Sequence, residues 1–500
     1  MKNKRVIIIG AGLSGSLLAI YLAKRGIETD VYEARADMRK VRMSAGRSIN
    51  LALSDRGIAA LREIGMDEYM LAEAVPMLGR MVHAIDGQTK LLRYSGRAGE
   101  YINSVSRAGL NVALINEAEK YRGVRFHFNE KCVDFDCRTG EALIENAETG
   151  DKKSIKADTL IATDGAGSAV RRAMLDGGVP RFNFSQRFLE HGYKELHIPS
   201  ASEPSAVAGG LTRSALDSNE TEAGSNTESR ALNANDASSA NLQPPATAGG
   251  SDNFLMEKNA LHIWARRAFM MIALPNFDGS FTCTLFLAHE GENSFAQLRD
   301  EKSLLDFFRT NFADAIPLMP TLTEDFFANP IGNLGTVKCF PWNVGGKSLL
   351  LGDSAHAVVP FYGQGMNCAF EDCRVLDSLI EKHGTDCWET IFEEYGKLRK
   401  ENTDAIADMA EENFYEMRDA VADPVFVRKR ELETRLEQTF PDYFSKYSMV
   451  TFREDLPYAV AKRKGNAQDK LLMEICAANE DLKGIGLDEV MKKIKSLEPS

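Results

Sequence analysis

Val6-Ile7-Ile8-Ile9-Gly10-Ala11-Gly12-Leu13-Ser14-Gly15 decides how the chain begins to fold. Four consecutive β-branched residues suit a strand buried on both faces of a parallel sheet. The Gly-x-Gly-x-x-Gly that follows precedes a stretch of helical character, Leu13 to Arg25, with Lys24 and Arg25 in its last turn and Gly26 placed as its C-terminal cap. Val31-Tyr32 makes the next strand, which ends at Glu33. In such a turn Gly10 permits the tight bend, Gly12 lets the backbone approach a pyrophosphate, and Gly15 packs the helix on the strand. The positive end of the helix faces the phosphates. Glu33 stands near the spacing for a carboxylate that binds a ribose hydroxyl pair, and it would repel a 2′-phosphate. The site suits FAD or NAD rather than NADP.

Outward from this unit, similar strands recur at Asp158-Thr159-Leu160-Ile161-Ala162 and Ser348-Leu349-Leu350-Leu351, each followed closely by an Asp beside a Gly. That alternation predicts an α/β core with a mostly parallel sheet. Leu261 to Trp264, Phe269 to Leu274 and Phe281 to Phe286 read as strands of a second sheet, with a turn at Asn276-Phe277-Asp278-Gly279. Ser200 to Asn253 changes character: rich in Ser, Ala, Asn, Gly and Thr and nearly devoid of large apolar residues, it cannot offset its own ordering entropy and reads as loosely attached. From about Cys373 onward the pattern is mainly helical.

Composition sets further bounds. The chain has 500 residues, 44% of them hydrophobic and 26% charged, so it can build a sizeable core. Its formal net charge of −12 argues against a nucleic-acid partner. Eight cysteines form no CxxC pair and no zinc-type grouping, so no metal site is expected and a reducing, cytoplasmic compartment fits. Val6 to Ala23 superficially resembles a signal peptide, but glycines and serines interrupt it and a strand follows. No stretch approaches the roughly 18 to 20 apolar residues of a membrane span.

Two more motifs separate FAD from NAD. One is Asp164-Gly165-Ala166-Gly167-Ser168 to Arg171. The other is Gly352-Asp353-Ser354-Ala355-His356-Ala357, continuing through Pro360 to Gly363-Gln364-Gly365-Met366-Asn367. Together with the first glycine loop, they make the chain resemble the flavoprotein aromatic hydroxylases. The resemblance implies FAD as cofactor, NADPH as a transiently docked reductant, and reaction of the reduced flavin with O2 to a C4a-hydroperoxide that hydroxylates a small aromatic substrate. Gly46 to Ser54, Ser104 to Arg107, Phe269 to Asn276 and Pro360 to Asn367 narrow it to one branch, whose substrate carries an amino-acid group and an aromatic amine. The charged tail from Lys462 onward departs from the members that end in a membrane anchor, so no membrane anchor is expected.

The implied architecture is a Rossmann-like FAD-binding domain (1–75, 102–180 and 335–380), an inserted β-sheet substrate domain (76–101 and 181–334, with the insert 200–253) and a helical C-terminal region (381–500). For the flavin the resemblance implies Gly10, Gly12, Leu13, Gly15, Glu33, Arg35, Arg47, Ala52, Arg107, Cys132, Asp164, Asp353, Gly365, Met366 and Asn367. Arg107 is the best additional cation for the diphosphate. For the substrate it implies Arg80, Tyr94, Asn413 and Tyr447. Arg80 also stands out locally, since a charge amid Pro76-Met77-Leu78-Gly79-Arg80-Met81-Val82 needs an anionic partner, and a carboxylate offers bidentate pairing. No general base is assigned, and His356 reads as packing within its motif. A hydroxylase acting on another aromatic acid, and a flavin-binding protein without hydroxylase activity, are the alternatives.

Overall fold

The computed structural model describes residues 5–40, 50–201, 253–420 and 423–497. Arg47 and nearly all of the low-complexity insert therefore lie outside the described residues. The central sheet has six strands in the order Asn343–Val344, Ser348–Leu350, Thr159–Ala162, Arg5–Ile9, Glu28–Tyr32 and Val124–His127. Its five longer strands run parallel, and the edge strand Asn343–Val344 is antiparallel to its neighbour. Val6 to Ile9 are almost fully buried, as the apolar run requires of a strand covered on both faces. The helix Leu13–Lys24 follows. It stops where expected: Gly26 has φ +73°, and Ile27 N–H donates to Leu22 O, closing the last carbonyls.

A second sheet of seven strands runs Gly332–Phe340, Asn183–Ile198, Phe281–Ala288, Met270–Pro275, Leu261–Ala265, Gly79–His83 and Thr89–Arg93. The three strands expected here are present, and the turn between the last two is closed by Asn276 N–H donating to Ser280 O, with Gly279 at φ +94°. The hairpin Gly79–His83 and Thr89–Arg93 joins through a parallel pairing with Leu261–Ala265. That pairing places Arg80 beside Leu261, about 180 positions away in the sequence. The α/β class, with a second sheet and a helical C-terminal region, is thus as the sequence implied. The expected start of the substrate domain at residue 76 falls inside the strand Val75–Met77, which pairs with Ile102–Ser106 of the flavin side.

The C-terminal third is helical: Gly365–His383, Trp388–Tyr415, Pro424–Thr439, Lys446–Thr451, Tyr458–Ala478 and Leu487–Lys495, with a π-helical turn at Glu416–Ala420. Asp423 caps Pro424–Thr439 by accepting from Val425 and Phe426 N–H. No helix of the described residues is long and apolar enough to cross a membrane.

Arg56, almost fully buried on the helix Asp55–Glu63, fastens these helices to the nucleotide domain. It donates to Val450 O and Arg453 O, both at 2.9 Å, and to Leu456 O, and its guanidinium lies 4.0 Å from the centre of the Tyr458 ring. Arg56→Met removes the charge but strands three carbonyls, so we expect a loss of about 3 kcal/mol in urea unfolding; an unchanged unfolding curve would contradict this anchoring.

His262 supplies a pH term. Burial drives its pKa from 6.5 down to about 4, against the Glu257 carbonyl that favours its proton. The folded chain therefore binds this proton less readily than the unfolded chain. Stability from this ring is complete above the unfolded pKa and is lost as pH falls toward the folded one, by on the order of 3 kcal/mol. The measurable outcome is an acid-side slope in urea unfolding that is shallower in His262→Gln.

Candidate active site

The three glycine-containing loops leave adjacent strands at one end of the central sheet. In the first, a Cβ on Gly15 would stand 2.0 Å from Gly10 O, and one on Gly10, at φ +103°, would stand 2.6 Å from Thr163 O. Both glycines are therefore needed for packing. A Cβ on Gly12 meets nothing within 4 Å, which leaves the space that a pyrophosphate needs above the backbone. Leu13, next in the loop, packs partly buried against the main core.

Glu33 lies at the expected strand end, but its carboxylate already has partners. Oε2 accepts from Ala11 N–H at 2.8 Å, and Oε1 accepts from the backbone N–H and Nε of Arg35 at 3.0 and 2.7 Å. Burial alone would raise its pKa; these contacts hold it below the ordinary carboxylate value. It therefore braces the loop. Asn111, which sequence reasoning missed, braces it from the other side by donating to Ala11 O at 3.1 Å. It stands one turn after Arg107 on the helix Arg107–Glu119. The available signal was a polar residue within the apolar run Leu110 to Ile115. Arg107 itself is exposed and makes no ion pair with the described residues.

In the second loop Asp164 Oδ2 accepts from Ala169 N–H at 2.7 Å, while Oδ1 is buried without a partner. Burial raises its pKa. Arg171 ties this loop to the third, donating to Ala166 O and, at 2.7 Å, to Ser354 O. Asp353, in the one-turn helix Asp353–His356, is open to solvent although protein surrounds it closely enough to raise its pKa; the charges of His356 and Arg107 act against that rise. His356 does more than pack: its Nε2 lies 2.6 Å from buried Asp372 Oδ2. The three loops thus carry an orphaned buried carboxylate oxygen at Asp164, an open cradle at Gly12 and an exposed carboxylate at Asp353, with the exposed cation Arg107 close enough to act on Asp353. Those groups fit FAD, with donors and acceptors for phosphate and ribityl hydroxyls.

Asn367 is placed differently. It is fully buried, its Nδ2 donates to Ala52 O and Gly363 O at 2.8 Å, and its Oδ1 accepts from Ser54 N–H. Its side chain thus staples the loop Gly363–Asn367, which carries Gly365 and Met366, to the strand Asn50–Leu53, which carries Ala52. Cys132 is a buried thiol on Glu130–Asp136, pushed up to about 12 by burial, with its Sγ–H on Asp134 O.

The four expected substrate residues converge. Arg80, Tyr94, Asn413 and Tyr447 line one cavity together with Tyr362, Glu416, Lys429, Arg430, Glu433 and Lys446. The Tyr94 and Tyr447 rings stack at 5.0 Å, and Tyr447 stacks on Tyr362 at 5.5 Å. The Arg80 guanidinium lies 5.9 and 5.4 Å from the Tyr94 and Tyr447 ring centres. Tyr362 belongs to the loop that continues into Gly363–Asn367, so the cavity adjoins the third of the glycine-containing loops. Burial raises the pKa of all three tyrosines, which leaves them as neutral phenols that can donate hydrogen bonds. Tyr362, Glu416 and the charged residues of Pro424–Thr439 were not found from sequence, because nothing local marks them as neighbours of Arg80.

A family model described as "FAD binding domain" matches residues 3–189 and 326–410. The chain is 41% identical over 496 residues to a kynurenine 3-monooxygenase of Myxococcus xanthus, covering 99% of this chain and 96% of that protein. It is 39% identical to a kynurenine 3-monooxygenase of Dictyostelium discoideum, covering 96% and 94%. Among solved structures, 2-methyl-3-hydroxypyridine-5-carboxylic acid oxygenase shares the fold with a TM-score of 0.60 at 17% identity, covering 93% of this chain and 97% of that one. Klebsiella pneumoniae HpxO, solved with FAD and uric acid, does so with a TM-score of 0.59 at 18% identity, covering 86% and 93%.

The glycine geometry separates cofactor binding from folding. Gly12→Ala should leave urea unfolding of the flavin-free protein unchanged while lowering the flavin absorbance retained per chain. Gly15→Ala should destabilise the protein itself, because its Cβ has no room. Full flavin retention by Gly12→Ala would place the pyrophosphate elsewhere.

Proposed function

The chain belongs to the kynurenine 3-monooxygenase family of FAD-binding hydroxylases, and from that premise we propose that Arg80, Tyr94, Asn413 and Tyr447 hold L-kynurenine for hydroxylation to 3-hydroxy-L-kynurenine. FAD, reduced by NADPH, supplies the activation of O2. Every other task falls to the chain's own residues. The glycine loop Gly10–Gly15, braced by Glu33 and Asn111, carries the pyrophosphate, and Arg107 adds positive charge near it. Asp164 and Asp353 accept hydroxyl hydrogen bonds along the trough, and the loop Gly363–Asn367, stapled by the Asn367 side chain, fixes the edge that the substrate meets.

The observation that carries the substrate assignment is Arg80. It is 8% exposed and lines the cavity, and its one ion-pair partner among the described residues, Glu416, stands off at 3.7 Å. A buried guanidinium in that state has donors to spare for an anion. The phenols of Tyr94 and Tyr447 can donate to the same carboxylate, and their rings, with Tyr362, make an apolar wall that leads toward the flavin loop. A substrate anchored there by its carboxylate extends its aromatic ring toward the oxygen chemistry. Ring hydroxylation ortho to an amine is electrophilic attack on an activated ring, so positioning and exclusion of water are the protein's main contribution. The reading extends to a cytoplasmic protein, which its eight free cysteines support.

Purified protein should be yellow, and L-kynurenine should accelerate NADPH oxidation with 3-hydroxykynurenine accumulating in step. Stimulation by another aromatic acid but not by kynurenine would overturn the substrate. Arg80→Ala should weaken kynurenine binding by about 2 kcal/mol, or roughly 30-fold in Kd, with flavin content unchanged; equal affinity would remove Arg80 from the site.

A further inference from the structure

Glu437 stands near the end of the helix Pro424–Thr439 and does not line the cavity, and the function above gives it no task. It is buried, and both of its carboxylate oxygens are engaged. Oε2 accepts from Gly96 N–H at 2.8 Å, while Oε1 accepts from Ser445 N–H at 3.0 Å and from the Ser448 hydroxyl at 2.6 Å. These donors belong to two segments about 350 positions apart. Gly96 follows Tyr94 by two residues, and Ser445 and Ser448 flank Tyr447. One buried carboxylate therefore ties together the two stretches of backbone whose tyrosine rings stack at 5.0 Å, within 11° of parallel.

The same face of the helix strengthens this contact. Arg430, two turns before Glu437, donates through Nη2 to Arg93 O at 3.0 Å and to Tyr94 O at 3.3 Å. Gly96 has no room for a side chain: a Cβ there would stand 2.5 Å from Thr434 O, so its loop lies directly on the helix. Ser445 also caps the helix Lys446–Thr451 by accepting from Ser448 N–H at 3.2 Å, so Glu437 grips the Tyr447 segment at its first turn. The Glu437 charge is faced by Arg97 Nη1 at 3.7 Å and by Arg430, whose charged form it favours. The apolar packing of this helix, through Leu432 and Leu436, belongs to a cluster with Leu472, Cys476 and Ile494 that includes neither tyrosine. A carboxamide in place of the carboxylate would turn its NH2 toward a backbone N–H in either orientation, because every hydrogen-bonding neighbour here is a donor.

We propose that Glu437 is a positioning residue for the substrate site: by holding the Tyr94 and Tyr447 segments together, it sets where their phenols stand beside Arg80. The proposal rests on the kynurenine reading above, in which those two tyrosines hold the substrate.

The test is a double-mutant cycle on FAD-loaded protein, with the Kd of L-kynurenine read from its perturbation of the flavin spectrum. Glu437→Gln is introduced into the wild type and into Tyr94→Phe/Tyr447→Phe, which keeps both rings and removes both hydroxyls. We expect Glu437→Gln to weaken kynurenine binding by about ten-fold in the wild type, with flavin content unchanged, and by less than about three-fold once the hydroxyls are gone. A merely structural loss would be the same in both backgrounds, so equal losses overturn the proposal. Unchanged affinity in flavin-loaded Glu437→Gln overturns it as well. Ser448→Ala removes one of the three donors and leaves the carboxylate in place; it should show the same coupling at smaller size, and it carries the cycle if Glu437→Gln does not fold. If Tyr94→Phe/Tyr447→Phe binds kynurenine as tightly as the wild type, the reading of those tyrosines fails and this assignment falls with it, a result distinct from additive losses.

Discussion

Ile9, Ala162 and Leu350 stand side by side at one end of three adjacent parallel strands. Parallel strands release their following loops at the same edge, so three glycine-containing turns spread over most of the chain are delivered to one trough. The apolar runs before each loop do not merely bury surface. By pairing in register they set the distance between the open glycine turn at Gly12, the carboxylate at Asp164 and the carboxylate at Asp353. A slip of that register would misplace all three loops.

The third glycine-containing loop is coupled to the elements around the Arg80 cavity through the buried carboxylate of Asp372. Asp372, on the helix Gly365–His383, accepts from Gly352 N–H at 3.2 Å, from His356 at 2.6 Å and from Arg399 Nε at 2.7 Å. Burial by itself would raise its pKa, but the charges of His356 and Arg399 reverse that and hold it at about 2. Arg399 belongs to the long helix Trp388–Tyr415, which carries Asn413 near its end and delivers Glu416 just beyond it. One ionised side chain therefore fixes the turn before Asp353, the helix Gly365–His383, and the helix that brings Asn413 to the cavity around Arg80. A buried charge with three partners gives little net stability over an apolar core, but losing any one partner is costly, so the arrangement favours a single geometry.

Local signals were enough for the nucleotide half. Strand, glycine turn, helix and acidic strand end lie within thirty-odd residues, and each has a physical reason to follow the last. Family resemblance reached further, since the positions of Arg80, Tyr94, Asn413 and Tyr447 share no local pattern and yet meet in one cavity. What neither could show was how side chains are spent. Glu33 and Asn367 look like cofactor ligands in sequence but direct most of their bonding to backbone of the loops they support. Asn111, Asp372, Tyr362 and Glu416 matter through partners dozens to hundreds of residues away, and periodicity or composition carries no record of such pairings.

The looseness of the Arg80–Glu416 contact follows from what the cavity must do. A bidentate ion pair between them would stabilise the empty site and would have to be broken before any carboxylate could bind. With no anion near, Arg80 would be a buried, unmatched charge, at a cost of several kcal/mol. The stack of neutral tyrosines resolves the conflict. Cation–π attraction from Tyr94 and Tyr447, worth on the order of 2 kcal/mol when desolvated, and a hydrogen bond from the guanidinium to the Tyr94 phenol oxygen hold Arg80 charged and oriented. Burial keeps those phenols protonated, so the same rings that steady the cation also keep hydroxyl groups in the cavity. Arg80 is thus steadied by two aromatic faces, a phenol oxygen and a carboxylate 3.7 Å away, none of which pairs with it bidentately, and on the reading proposed above the remaining donors serve the substrate carboxylate.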